Sequence, residues 1–166
     1  ICVIILGFLQ ALLMPKYMDN TKEGALIGEY YANAGNNDVV FIGDCEVYAN
    51  FVPAELYRQA GITAYVRGNS QQLIWQSYYL LKESFKYDSP KAVVFNVYAL
   101  KYGEPQSEAY NRMTFDTMRW SPTKIEGILA SMTEDESIIE YIFPLLRYHS
   151  RITELESEDV EYWLKK

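Results

Sequence analysis

Val39-Val40-Phe41-Ile42-Gly43-Asp44-Cys45-Glu46-Val47-Tyr48 is the stretch that decides the fold. Its first four residues are apolar without alternation and are bounded by Asp38 and Gly43. An unbroken β-branched and aromatic run of this length reads as a strand covered on both faces, as strands of parallel sheets are. Pro53 to Ala60 then predicts a helix, with proline at its first position and Gly61 past its end. Ile62 to Val66 predicts a second strand, ending at Arg67-Gly68-Asn69, and Gln72 to Lys86 a helix. Ala92 to Val97 predicts a third buried strand, introduced by Ser89-Pro90. Strand, helix, strand, helix, strand is the pattern of a parallel sheet with right-handed crossovers. In such sheets ligands bind beyond the carboxyl ends of the strands. Residues 43–48, 68–71 and 98–102 fall there.

Outside this span the pattern changes. Lys16 to Asn36 is helix-like, with Leu26, Ile27, Tyr30 and Tyr31 at helical spacing, and Gly35-Asn36-Asn37 breaks it. Lys101 to Met118 reads as a polar loop. Ser121-Pro122 predicts a helix start, N-cap followed by proline. Thr133 to Glu136 has a capping-box pattern, opening a helix that runs toward Pro144. Ser157 to Lys166 predicts a last helix.

Composition narrows the function. The chain has 166 residues, 49% apolar and 22% charged, which suits one globular domain with an appendage. Lys and Arg number 15 against 22 for Asp and Glu, so the net charge of -7 argues against a nucleic-acid partner. Two cysteines, Cys2 and Cys45, and one histidine, His149, cannot build a disulfide framework or a four-ligand zinc site. No metal and no cofactor is expected. The 15 tyrosines suit either a half-buried core or a surface for polysaccharide contact.

Ile1 to Met14 reads ICVIILGFLQALLM, without a charge. The run is shorter than the roughly 20 residues of a bilayer span. It begins already apolar, so the expectation is a membrane anchor or signal segment over residues 1–18, completed upstream and leaving residues 19–166 outside the cytoplasm.

Phe41-Ile42-Gly43-Asp44-Cys45 resembles block I of the SGNH (GDSL-type) hydrolases, in which a strand ends in Gly-Asp-Ser and the serine is the nucleophile. Cysteine stands at that position here. Gly61 to Ser70 resembles block II. Gln76 to Glu83, Pro90 to Phe95 and the Arg147-Tyr148-His149-Ser150-Arg151 segment are similar to a membrane-anchored, extracytoplasmic subgroup from clostridial bacteria. The likeness implies a flavodoxin-like, three-layer α/β/α fold. It implies an esterase or O-acyltransferase acting on cell-envelope polysaccharide or its acyl esters. Cys45 would be the nucleophile beside Asp44, and the backbone N–H groups of Cys45 and Gly68, with the Asn69 side chain, would hold the oxyanion.

Two features depart from the family. Its block III Gly-x-Asn-Asp aligns with Tyr98-Ala99-Leu100-Lys101, and its Asp-x-x-His is not matched by Leu146 and His149. The resemblance therefore places the acid and base downstream of Lys166. Asp44 and Glu46 flank Cys45, and negative charge raises a thiol's pKa. Cys45 thus reads either as a nucleophile or as an inert residue, and the protein either as an enzyme or as a non-catalytic envelope-binding scaffold. His149 reads as a base or as a surface residue, and Arg147 and Arg151 as an anion-binding or a structural pair. Asn96, inside an apolar run, needs a hydrogen-bond partner.

Overall fold

The computed structural model describes residues 2–15, 25–105 and 107–164. The chain forms two compact units, one of residues 17–134 and one of residues 1–16 with 135–166. Its elements run α1 (Cys2–Leu13), α2 (Leu26–Asn33), β1 (Val39–Gly43), α3 (Cys45–Asn50), α4 (Pro53–Ala60), β2 (Ala64–Gly68), α5 (Ile74–Ser84), β3 (Ala92–Phe95), α6 (Glu108–Phe115), α7 (Pro122–Ser131), α8 (Ile138–Ile142), α9 (Pro144–Tyr148) and α10 (Ser157–Leu164), with 3₁₀ turns at Tyr98–Lys101 and His149–Thr153.

The larger unit is mixed α/β around a three-stranded parallel sheet of order β2-β1-β3. β1 is central, and its residues from Val40 to Gly43 are buried. Phe41 and Val66 point to one face, where they pack with Val47 of α3 and Leu56 of α4. Tyr65 and Arg67, displaced by one residue from Val66, point to the other. There the Tyr65 hydroxyl donates to the Leu26 carbonyl of α2, and Arg67 Nη1 donates to the Leu80 carbonyl and Ser84 Oγ of α5 at 2.8 and 2.9 Å. Helices thus cover both faces of the β1–β2 pair.

Arg67 is wholly buried, and its guanidinium donates to a carbonyl and two hydroxyl oxygens, those of Leu80, Ser84 and Tyr31, respectively. Its guanidinium lies 4.2 Å from the centre of the Tyr30 ring. A desolvated cation over an aromatic face gains about 2 kcal/mol, which offsets part of the burial cost. The Tyr30 hydroxyl in turn donates to Asp88 at 2.6 Å. Asp88 also accepts from the backbone N–H groups of Gly35 and Asn37, so one carboxylate sets the turn that feeds β1.

Several expectations shift. The second strand starts later and runs through Gly68, which brings Arg67 inside the sheet. The third ends at Phe95, forms an edge of the sheet among the described residues and is not covered on both faces, so Val94 remains 38% exposed. The stretch read as a loop from Lys101 to Met118 contains α6. Its buried side chains include Asn111, Arg112 and Thr114, so its inward face carries little apolar signal. Thr133 does not cap a helix; Ser137 does, accepting from the Ile139 N–H at the start of α8. The helix expected from Lys16 is described only over α2, and residues 16–24 lie outside the described part.

In the smaller unit, α1 packs against α9 and α10. Arg151 donates to the Leu13 carbonyl at 2.6 Å and lies 3.4 Å from Asp159, so its guanidinium closes the C-terminal end of α1. This is the structural reading of Arg151. Ile4, Ile5, Leu6 and Phe8 of α1 are exposed. Among the described residues no helix is long and apolar enough to cross a membrane.

Candidate functional site

The carboxyl ends of the three strands meet where the chain leaves β1 for β2 on one side and later returns to β3 on the other. Open α/β sheets place ligands at such a reversal. Gly43 and Gly68 are register partners there. A Cβ on Gly68 would stand 2.1 Å from the Gly43 carbonyl oxygen. A Cβ on Gly43 would stand 2.5 Å from both Asn96 Cβ and Val47 Cγ2. Both glycines are required by close approach, and they let the loops after β1 and β2 run side by side.

Asp44 caps α3. Its Oδ1 accepts from the Glu46 N–H at 3.1 Å and from Asn96 Nδ2 at 2.8 Å. Asn96 Oδ1 accepts from the Tyr98 N–H at 2.8 Å, and the Asn96 N–H donates to the Ile42 carbonyl. One carboxylate and one amide thus clasp the ends of β1 and β3. Asp44 is only 5% exposed and already committed to two donors, so its role is to position α3. Asn96 is the site residue that sequence reading did not assign here. Its only signal was an amide closing the apolar run Ala92-Val93-Val94-Phe95.

Cys45 is the first residue of α3 and carries an exposed free thiol. Although the residue is exposed, partial desolvation of its sulfur, then the charges of Asp44 and Glu46, raise its pKa; they outweigh the N–H groups of Cys45 and Glu46, which act the other way. The thiol is therefore protonated at neutral pH. Among the described residues no imidazole or carboxylate hydrogen-bonds to its sulfur. His149, the single histidine, lies in the smaller unit, exposed, with Nδ1 3.1 Å from the Leu146 carbonyl.

Asn69 turns away from a free oxyanion role. It is 2% exposed, and its Nδ2 donates to Thr114 Oγ1 of α6 at 2.5 Å. Its Oδ1 is buried without a partner. The loop it opens includes Gln71 at φ 52°, a left-handed conformation seldom adopted outside glycine and asparagine. The Ser70 and Tyr48 hydroxyls, 2.8 Å apart, tie that loop to α3. Of the four residues expected from sequence, Asp44, Cys45 and Gly68 share one end of the sheet, and Asn69 follows them as a packing residue. Among the described residues no group of three or more His, Cys, Asp or Glu side chains could hold a metal ion.

Neither protein-family models, nor curated proteins, nor solved structures give a match to this chain.

Proposed function

We propose that the larger unit is a flavodoxin-like, SGNH-like domain and that the protein is an ester hydrolase or O-acyltransferase with Cys45 as nucleophile. Its substrate class is acyl esters of cell-envelope polysaccharide, and the N-terminal segment holds it at the outer face of a membrane. The observation that carries the reading is the exposed Cys45 thiol at the first turn of α3, directly beyond the central strand and beside the Gly43–Gly68 contact. The strand order β2-β1-β3 supports the fold assignment.

The chemistry follows from that placement. The thiol loses its proton to a base, which at alkaline pH is hydroxide. The thiolate attacks the ester carbonyl carbon. The oxyanion that forms would take hydrogen bonds from the backbone N–H groups of Cys45 and Gly68. Collapse breaks the C–O bond, the leaving alkoxide takes up a proton, and the acyl group remains on sulfur as a thioester. Water or a sugar hydroxyl then receives it.

A second reading, a non-catalytic envelope-binding scaffold, is favoured by the raised thiol pKa and by the two hydrogen bonds that Asp44 Oδ1 already accepts. The two readings separate in a p-nitrophenyl acetate assay with the full chain, Cys45→Ala and Cys45→Ser. Catalysis requires several turnovers per chain, a rate that rises through alkaline pH as the thiolate forms, and acetylation of Cys45 faster than of the exposed Cys2. It also requires a loss of about 100-fold or more in Cys45→Ala. Equal acetylation of the two cysteines, or an unchanged rate in Cys45→Ala, leaves the scaffold as the better account.

A further inference from the structure

A groove of about 530 Å³ opens at the other end of the sheet, between the end of α2, the start of α4 and the start of β2. It is separated from Cys45 by the length of β1, roughly 15 Å at about 3.3 Å per residue. Its volume falls within the roughly 300–1,000 Å³ of small-molecule sites. Its lining joins three asparagines, Asn33, Asn36 and Asn37, with Tyr57 and Tyr65. No residue lining it is charged, although 22% of the chain is.

We propose that this groove binds neutral carbohydrate. The case rests on matching chemistry on both sides. A pyranose offers a rim of hydroxyl groups and an apolar C–H face. Tyr57 is 63% exposed and offers a ring for that face. The asparagine amides offer acceptors and donors for the rim. Two of them are fixed in advance: Asn33 Nδ2 donates to the Glu29 carbonyl at 3.1 Å, and Asn37 Nδ2 donates to Asp88 at 2.9 Å and to the Asn33 carbonyl at 3.0 Å. Their side-chain oxygens remain to accept from sugar hydroxyls, and the Asn36 amide is exposed. Thr63 and Tyr65 are held as well, through the Asn36 and Leu26 carbonyls, so the wall exists before any ligand arrives. Pre-organisation lowers the entropic cost of binding.

The alternatives fit less well. An anionic polymer would meet no lysine or arginine in the lining, and the two carboxylates behind it are already engaged, Asp38 by Lys91 and Thr63 and Asp88 by Tyr30 and Asn37. A lipid chain would meet exposed amides in an open groove. The site is independent of Cys45 and remains whether or not that thiol is catalytic.

The test is a titration of the ¹⁵N-labelled full chain with chitotriose, cellotriose and maltotriose, with trigalacturonic acid as the anionic control. At least one neutral trisaccharide should move the amide signals of Asn33, Asn36, Asn37 and Thr63. Tyr57→Ala should weaken binding about tenfold, Tyr57→Phe should retain it, and Cys45→Ala should leave it unchanged. Asn36→Ala, at an exposed turn, gives a second variant that keeps the fold and should also weaken binding. The proposal is overturned if none of the neutral sugars shifts the groove signals, if both Tyr57→Ala and Asn36→Ala bind as the wild type does, or if trigalacturonic acid binds as tightly as the neutral sugars.

Discussion

The β1–β2 pair and the α5–α6–α7 layer are both buried, but with a different balance of apolar and polar groups. The strands bury Val40, Phe41, Ile42 and Val66, and two glycines let their ends touch. The helices bury Leu80, Phe115 and Ile128, and beside them a set of amides and hydroxyls. Gln76 Nε2 of α5 donates to Asn111 Oδ1 of α6 at 2.6 Å, and Asn111 Nδ2 donates to the Ser131 carbonyl of α7 at 2.6 Å. Trp75 Nε1 donates to Ser131 Oγ, and Thr114 takes the Asn69 amide. Lys124 is 2% exposed, with Nζ donating to the Met118 carbonyl at 2.8 Å and lying 4.3 Å from the Trp120 ring. Apolar packing depends on shape and tolerates small shifts, whereas each buried polar group depends on one named partner. The strand pair should therefore be most sensitive to added volume, and the helical layer to a lost partner.

The largest effect belongs to the strands. Gly68→Ala puts a methyl group against the Gly43 carbonyl oxygen, which is backbone and cannot rotate away. The expected loss is about 3 kcal/mol, the upper part of the usual range for overpacking, measured by urea unfolding. A neutral result would mean that the two strands separate without cost and that the loops after them are not held together.

A smaller effect tests the helical layer. Asn111→Leu leaves the Gln76 amide and the Ser131 carbonyl without this partner, at a cost of about 2 kcal/mol. Gln76→Leu should cost a similar amount, and the double variant clearly less than the sum, because the second substitution removes a group the first had orphaned. Additive losses would show that the two amides act separately.

The smallest effect is a slope with pH. Burial, opposed by the Asp116 charge, lowers the Lys124 pKa from 10.5 to about 8. Between pH 8 and about 10 the unfolded chain binds this proton and the folded chain does not, so stability should rise with pH, by at most about 1.4 kcal/mol per unit. Tyr30 and Tyr65 have pKa values raised above the ordinary tyrosine range, chiefly by burial. They act in the opposite sense above pH 10, where the unfolded chain ionises first. Unfolding midpoints of the wild type and Lys124→Met, measured across pH 7–10, isolate the lysine. The rise should be present in the first and absent in the second, and equal slopes would remove Lys124 from the account.

The same contrast marks how much was legible beforehand. The sequence determined the presence of three strands, the alternating order of strand and helix, the α4 helix from Pro53 to Ala60, and the placement of Asp44 and Cys45 just beyond β1 with Gly68 at the end of β2. Those features are written in local signals: unbroken apolar runs, a proline at a helix start and a glycine at its end. Tertiary structure alone decided the rest. A polar interior has no period in hydropathy, so α6 reads as a loop until Asn111 meets Gln76 and Ser131. An asparagine at the end of β3 gains its role only when the sheet order brings it to Asp44. Arg67 can sit inside a strand only because Tyr30 and the Leu80 carbonyl, distant in sequence, are there to receive it. Local pattern states which residues avoid water; which buried polar groups satisfy one another depends on contacts between residues far apart in the chain.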